Sequence, residues 1–334
     1  MQKLGKQTIQ LDNPVTIVNT ACIVGPKESG GPMAKYFDQC LEDEFWGEKT
    51  WEKAESKIIK ETVNMAISKS GIPASDIDYC FAGDLLNQCI SSSFGLRELN
   101  IPFFGVFGAC STFAESLCLG STFVSSGAAN NVLCATSSHF CSAEKQFRFP
   151  LELGNQRPPS SQWTVTGAGA AVLSATGEGP YITHITPGKI NDMGIKDANN
   201  MGAAMAPAFV DTLITHFEDT GRDPSYYDMI ISGDLGHIGK DIAIDLAKSR
   251  GHNIKSNYND CGVMMFDKES QDTHSGGSGC ACIGTIFSGY FFKQLKEKKI
   301  RKLLIVATGA LMNSTSSQQG ESIPGIAHAV AIEI

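Results

Sequence analysis

The chain carries one pattern twice. Ser232-Gly233-Asp234-Leu235 stands 150 residues after Ala82-Gly83-Asp84-Leu85, and each follows an apolar run that opens on aspartate, Asp228 to Ile231 and Asp78 to Phe81. Cys261 stands 151 residues after Cys110. Ala307-Thr308-Gly309 closes the run Lys302 to Val306 as Ala135-Thr136-Ser137 closes an earlier one, 172 residues before. Two copies predict a duplicated fold and exclude a solenoid. We expect two similar halves, 1–176 and 177–334, with about 21 extra residues in the second, Met264 to His274 among them.

Within each half, strand signals alternate with helix signals, which predicts parallel pairing and a layered α/β fold. Val15 to Val24 reads as a first strand, followed by a Gly/Pro-rich loop. Trp51, Ala54, Ile58, Ile59, Val63, Ala66 and Ile67 form one helical stripe closed by Gly71 and Pro73. Ile77 to Ala82 and Asn131 to Thr136 are further strands. From Ser142 to Gln162 the chain turns polar and predicts a long surface loop. Trp163 to Ser174 imitates a phosphate loop, but Val172 stands where a third glycine is needed. A packed strand with close backbone approach fits better.

The chemistry gathers at Phe107-Gly108-Ala109-Cys110-Ser111-Thr112. Ile101 to Phe107 suits a short buried strand, and Leu117, Phe123 and Val124 then fall at helical spacing before a stop at Gly127. Ser111 or Thr112 can cap that helix. A thiol at its start meets the positive helix end, which lowers its pKa and suits a nucleophile; the same N–H groups can instead bind an anion. The plain alternative is a small buried side chain. Facing copies place the Cys110 turn near Gly276-Gly277-Ser278-Gly279, the start of a helix running to Lys298. Two helix starts and a glycine nest would then converge on a site for a di-anion or an oxyanion.

Composition narrows the function classes. A formal net charge of −8 and a pI near 5.4 argue against nucleic acid. No apolar run approaches the eighteen or so residues that span a bilayer. Met1-Gln2-Lys3-Leu4-Gly5-Lys6 shows no signal segment, so cytoplasmic synthesis is expected. Eleven irregularly spaced cysteines, with Cys80, Cys118 and Cys134 inside apolar runs, suggest free thiols in a reducing compartment. Cys280-Ala281-Cys282 with Cys261 upstream lacks paired metal-ligand spacing, so no metal is expected.

These features together resemble the thiolase and ketoacyl synthase III superfamily over nearly the whole chain. The motifs that carry the likeness are the Cys110 turn, Thr166-Gly167-Ala168-Gly169-Ala170-Ala171-Val172 and the late glycine-rich helix start. The resemblance implies two similar halves in a layered α/β/α/β/α architecture. Four motifs in order are similar to the stage V sporulation protein AD family of spore-forming bacteria: Ala82 to Gln88, Phe107 to Thr112, Ala135 to His139 and Gly276 to Cys282. That likeness implies a non-enzymatic protein, with no cofactor, binding dipicolinic acid or its calcium chelate. It implies work with other stage V membrane proteins of one uptake complex, at the inner membrane of the forespore, with a homodimer open.

The departures from the enzymes agree. A ketoacyl synthase III would carry His-Gln-Ala-Asn after the strand at Asp228 to Ile231 and an asparagine at the late helix start; here stand Ser232-Gly233-Asp234-Leu235-Gly236-His237 and glycines. A thiolase would carry Gly-His-Pro and a second cysteine, whereas His274 precedes Ser275 and Ala307-Thr308-Gly309 has no thiol. The rival reading keeps a condensing or acyl-transfer enzyme with Cys110 as nucleophile and His139 or His237 as base.

On the resemblance, the expected ligand site comprises Asp84, Cys110, His139, Gly276, Gly277 and Ser278, with Asn87, His237, His274 and Arg148 further out. Asp84 either orients His139, or coordinates calcium, or caps its own loop. His139, as imidazolium, would bond a pyridine carboxylate. Phe107, Phe113 or Met264 would supply an apolar wall.

Overall fold

A computed structural model gives the fold and describes residues 1–147 and 157–334. The strands are β1 (Gln2–Leu4), β2 (Thr8–Val24), β3 (Gln39–Cys40), β4 (Tyr79–Gly83), β5 (Phe103–Gly105), β6 (Asn131–Ser138), β7 (Trp163–Thr164), β8 (Gly167–Ser174), β9 (Tyr181–Thr186), β10 (Met229–Ser232), β11 (Tyr258–Asp260), β12 (Gly277–Ser278), β13 (Lys302–Ala310) and β14 (Gly325–Glu333). The helices are α1 (Pro26–Ser29), α2 (Trp51–Ser70), α3 (Ile90–Leu96), α4 (Thr112–Ser125), α5 (Phe140–Phe147), α6 (Met201–Thr220), α7 (Gly236–Ser249), α8 (Cys261–Met265), α9 (Cys280–Ile286), α10 (Phe292–Lys296) and α11 (Ser314–Gln318).

The duplication is visible in the sheet. Its order is β11-β10-β13-β14-β9-β2-β8-β6-β4-β5. On one side β5, β4 and β6 run parallel and then β8 and β2 pair antiparallel. On the other, β11, β10 and β13 run parallel and then β14 and β9 pair antiparallel. The β2–β9 pairing joins the two sets. The expected parallel pairing thus holds within β5-β4-β6 and β11-β10-β13, and the sheet as a whole is mixed. The last strands of each set return by antiparallel pairing, a choice that alternation of strand and helix signals does not reveal.

Helix α2 forms where its stripe predicts. Thr50 accepts a hydrogen bond from the Lys53 N–H at 3.3 Å, and Gly71 turns left-handed at φ 72°. Ile58, Ile59 and Val63 are fully buried with Ile23, Leu133 and Ala135 beneath them, worth about 1.5–3 kcal/mol per side chain. Helix α6 covers the other set, packing Phe209 and Leu213 with Ile230, Leu304 and Val306. Between them lie α4 and α9, and α4 touches β2, β4, β6 and β8 as well as β9, β13 and β14. Gly169 of β8 lies so close to α9 that a Cβ there would stand 2.2 Å from the Gly284 carbonyl, the close approach the sequence implied.

Three expectations fail locally. Ile101 to Phe107 is not a buried strand: only Phe103–Gly105 pairs, at the sheet edge, with Phe103 and Phe104 exposed. Its apolar character serves ring packing instead, Phe104 stacking on buried Phe81 at 4.9 Å. The polar stretch from Ser142 begins inside α5, whose Ser142 hydroxyl donates to Glu55 at 2.7 Å. A short helix with polar residues on its buried face has no apolar stripe to announce it. Neither Ser111 nor Thr112 caps α4, because both hydroxyls donate back to the Gly108 and Ala109 carbonyls.

Candidate functional site

The Cys110 turn is tied at both ends. Gly108 N–H donates to Thr112 Oγ1 at 3.0 Å, and Ser111 N–H donates to the Gly108 carbonyl at 3.0 Å. Ala109 is held at φ 50°, a conformation a side chain seldom adopts. Opposite, Gly309 of β13 packs so tightly that a Cβ would come within 2.2 Å of the Gly108 carbonyl. Cys110 is thereby fixed, 6% exposed, with its Sγ 3.8 Å from Ser278 Oγ. The two halves do bring this turn to the late glycine-rich segment.

What fills the nest there is a side chain of the protein itself. Asp234, fully buried, accepts from Ser278 Oγ at 2.8 Å and Gly279 N–H at 3.2 Å through one oxygen, and from Thr308 Oγ1 at 2.8 Å through the other. Gln162 Nε2 donates to the Asp234 and Gly277 carbonyls. The start of α9 is satisfied too, since Ala281 N–H donates to Ser138 Oγ at 3.2 Å. Gly276, at φ 107°, turns the chain into β12, where Gly277 pairs with Trp163 of β7. Asp234 is the residue that sequence reasoning missed. The repeat itself was the signal, since Asp234 stands at the position of Asp84 in the second copy.

Electrostatics run against a reactive thiol. Burial, and next the Asp234 carboxylate, push the Cys110 thiol well above its ordinary range, where the helix start alone predicts a lowered value. Burial also raises Asp234, while the neighbouring Cys110 thiol and the hydrogen bonds from Ser278, Thr308 and Gly279 oppose the rise.

The expected histidine is elsewhere. His139 ends β6, but its Nε2–H donates to the Glu44 carbonyl at 2.8 Å and its Nδ1 accepts from Cys141 N–H at 3.2 Å. Burial lowers its pKa, so the expected imidazolium is corrected to a neutral ring with both nitrogens occupied. Asp84 caps its own loop, accepting from Leu86 N–H, Ser92 N–H and Ser92 Oγ at 2.6–2.9 Å. Asn87 lies in a groove over Glu52 and Lys145, and its N–H donates to Gln146. Phe113 is core, 5.7 Å from Phe287, and Met264 packs against the same core, so only Phe107 of the three expected walls lines the Cys110 cavity. Arg148 lies outside the described residues.

Two hollows remain. The Cys110 cavity is about 50 Å³, walled by Leu85, Phe107, Phe147, Met201 and Met312 and bordered by Glu144. That volume admits a few waters, not a whole drug-sized ligand. His237 and His274 instead share a separate surface groove of about 420 Å³ with Lys268, Glu269 and Asp272. Asp272 is paired there with Arg157 at 3.0 Å and with His274 at 3.5 Å. Among the described residues no set of three His, Cys, Asp or Glu side chains could hold a metal, and all eleven cysteines are free.

Comparison with known proteins places this geometry. The family model for stage V sporulation protein AD matches residues 5–333. The chain belongs to that family. It is 42% identical over 333 residues to stage V sporulation protein AD of Bacillus subtilis strain 168, covering all of this chain and 98% of that one. Among solved structures, 3-oxoacyl-[acyl-carrier-protein] synthase III from Aquifex aeolicus aligns over 96% of this chain and 100% of its own, with a TM-score of 0.57 and 14% identity. Acetamide-bound OleA from Xanthomonas campestris aligns over 98% and 100%, with a TM-score of 0.61 and 11% identity. The fold of this sporulation protein is thus the thiolase-like one of the ketosynthases. Among the described residues no helix is long and apolar enough to cross a membrane.

Proposed function

We propose that this member of the stage V sporulation protein AD family is a non-catalytic ligand carrier of the spore. Its ligand is dipicolinic acid or the calcium chelate, and it takes part in dipicolinate uptake into the forespore alongside membrane proteins of the same complex. The observation that carries the non-catalytic part is the absence of a histidine base at the thiol among the described residues. His139 spends its ring on Glu44 and Cys141, and His237 lies in another groove. A cysteine without such a base and with a raised pKa is a poor nucleophile for acyl transfer. The ligand itself rests on the family resemblance.

We assign the seat to the mouth of the Cys110 cavity, where Leu85, Phe107 and Met312 offer the apolar faces that a flat ring needs. The ring must displace Phe107, which is 47% exposed, because the cavity alone is too small. Isothermal titration of the purified chain with dipicolinic acid, with and without calcium, should give saturable binding. Cys110→Trp, which fills the cavity, should weaken it at least tenfold, on the order of 1.4 kcal/mol. Retention in Cys110→Trp with loss in His237→Ala/His274→Ala would move the seat to the second groove. No binding by any form, together with acylation of Cys110 by an acyl-CoA, would overturn the reading in favour of a condensing enzyme.

A further inference from the structure

Asp234 stands in a chemically odd place. Helix starts and glycine turns ordinarily offer N–H groups to a bound anion. Here the donors at the start of α9 converge on a carboxylate that the chain supplies: Ser278 Oγ, Gly279 N–H and Thr308 Oγ1 all donate to Asp234, from β12, the α9 start and β13. The acid sits two residues past β10. Cys110 lies at the edge of the same network, its Sγ 3.8 Å from Ser278 Oγ, and the Asp234 carboxylate acts on its thiol.

We propose that Asp234 is an internal anion that occupies the donor nest in place of a bound carboxylate or oxyanion and keeps the neighbouring Cys110 an uncharged thiol, not a nucleophile. The argument is independent of which ligand the chain carries. A fixed carboxylate beside a thiol disfavours thiolate by like-charge repulsion. The donors that would steady a developing oxyanion are already spent. A second anion entering the nest would have to displace a buried side chain whose oxygens hold three hydrogen bonds from Ser278, Gly279 and Thr308. Asp84 shows that this is not a property of the repeat. The same position in the first copy caps its own loop and takes no part in the nest.

The test is the pH profile of Cys110 alkylation by iodoacetamide, read by site-resolved mass spectrometry on the folded chain. In the wild type the Cys110 rate should be slow and still rising at pH 9. Asp234→Asn keeps the shape and removes the charge. It should raise the Cys110 rate about tenfold at pH 8, the effect of roughly one pKa unit, and shift the profile to lower pH. Ser278→Ala, which loosens the network without removing the charge, should leave the rate within about twofold of wild type. Equal acceleration by Ser278→Ala would assign the effect to packing and overturn the proposal, as would an unaccelerated, folded Asp234→Asn. If Asp234→Asn does not fold, the wild-type profile decides: a Cys110 rate that levels off below pH 9 overturns the proposal, and one still rising supports it.

Discussion

Replacing Gly169 by alanine is expected to cost about 3 kcal/mol of unfolding free energy, the upper part of the range for overpacked cores. The added methyl would stand 2.2 Å from both the carbonyl carbon and oxygen of Gly284, distances that real Cβ atoms do not show. Nothing flexible is available to yield. Both partners are backbone, β8 is buried along its whole length between β2 and β6, and every residue of α9 is buried. Relief must come from sliding α9 away from the sheet, which opens contacts on its far side and carries Ser278 off the Cys110 turn. Gly105→Ala is the control. Its Cβ would meet only the Phe103 ring at 3.3 Å, on an exposed edge, and should change stability by less than about 0.5 kcal/mol. Urea unfolding of both variants measures the difference. Equal midpoints would show that the β8–α9 approach is looser than the backbone geometry implies.

That approach was legible as a glycine-rich strand, and the physical reason bears on what a sequence can reveal. Period, caps and breakers report the backbone, so α2 with Thr50 and Gly71, the β8 strand and the doubled order of strands all follow from local residues. Side-chain direction is decided by partners far along the chain. His139 turns to Glu44, 95 residues away, and Asp234 reaches Gly279 across 45. No spacing within either segment encodes those pairings. The pseudo-repeat pointed equally to Asp84 and Asp234, but only Asp234 is hydrogen-bonded into the nest beside the Cys110 turn. The apolar run at Ile101 to Phe107 misleads for a related reason: rings that stack at a sheet edge look, in one dimension, like a strand inside it.

Stability should fall as pH rises from 6.5 to 8.5, and two buried glutamates should account for most of the fall. Glu28 and Glu55 are at most 1% exposed, and burial, the largest cause for each, pushes their carboxyl groups up to about 8. Asp84 raises Glu55 further. Glu28 accepts from Thr166 N–H at 2.9 Å with one oxygen, while the other has no hydrogen-bond partner among the described residues, as suits a protonated acid. Glu55 is held by the Ser137 and Ser142 hydroxyls. Because the folded values lie above the unfolded 4.5, the folded state keeps protons that the unfolded state has lost. The stabilisation is complete below pH 4.5 and disappears as pH climbs through 8. Between pH 6.5 and 8 each group accounts for on the order of 2 kcal/mol. The buried histidines oppose this only on the acid side. His216, lowered to about 3, and His184 and His328, lowered to about 4, are neutral in both states above the unfolded 6.5. Glutamine mimics the neutral acid, so Glu28→Gln/Glu55→Gln should flatten the alkaline limb of a plot of urea midpoint against pH and, with the opposing glutamate slope gone, steepen the histidine limb between pH 4.5 and 6.5. An alkaline slope unchanged in the double variant would mean that these carboxyls ionise within the folded protein at little cost.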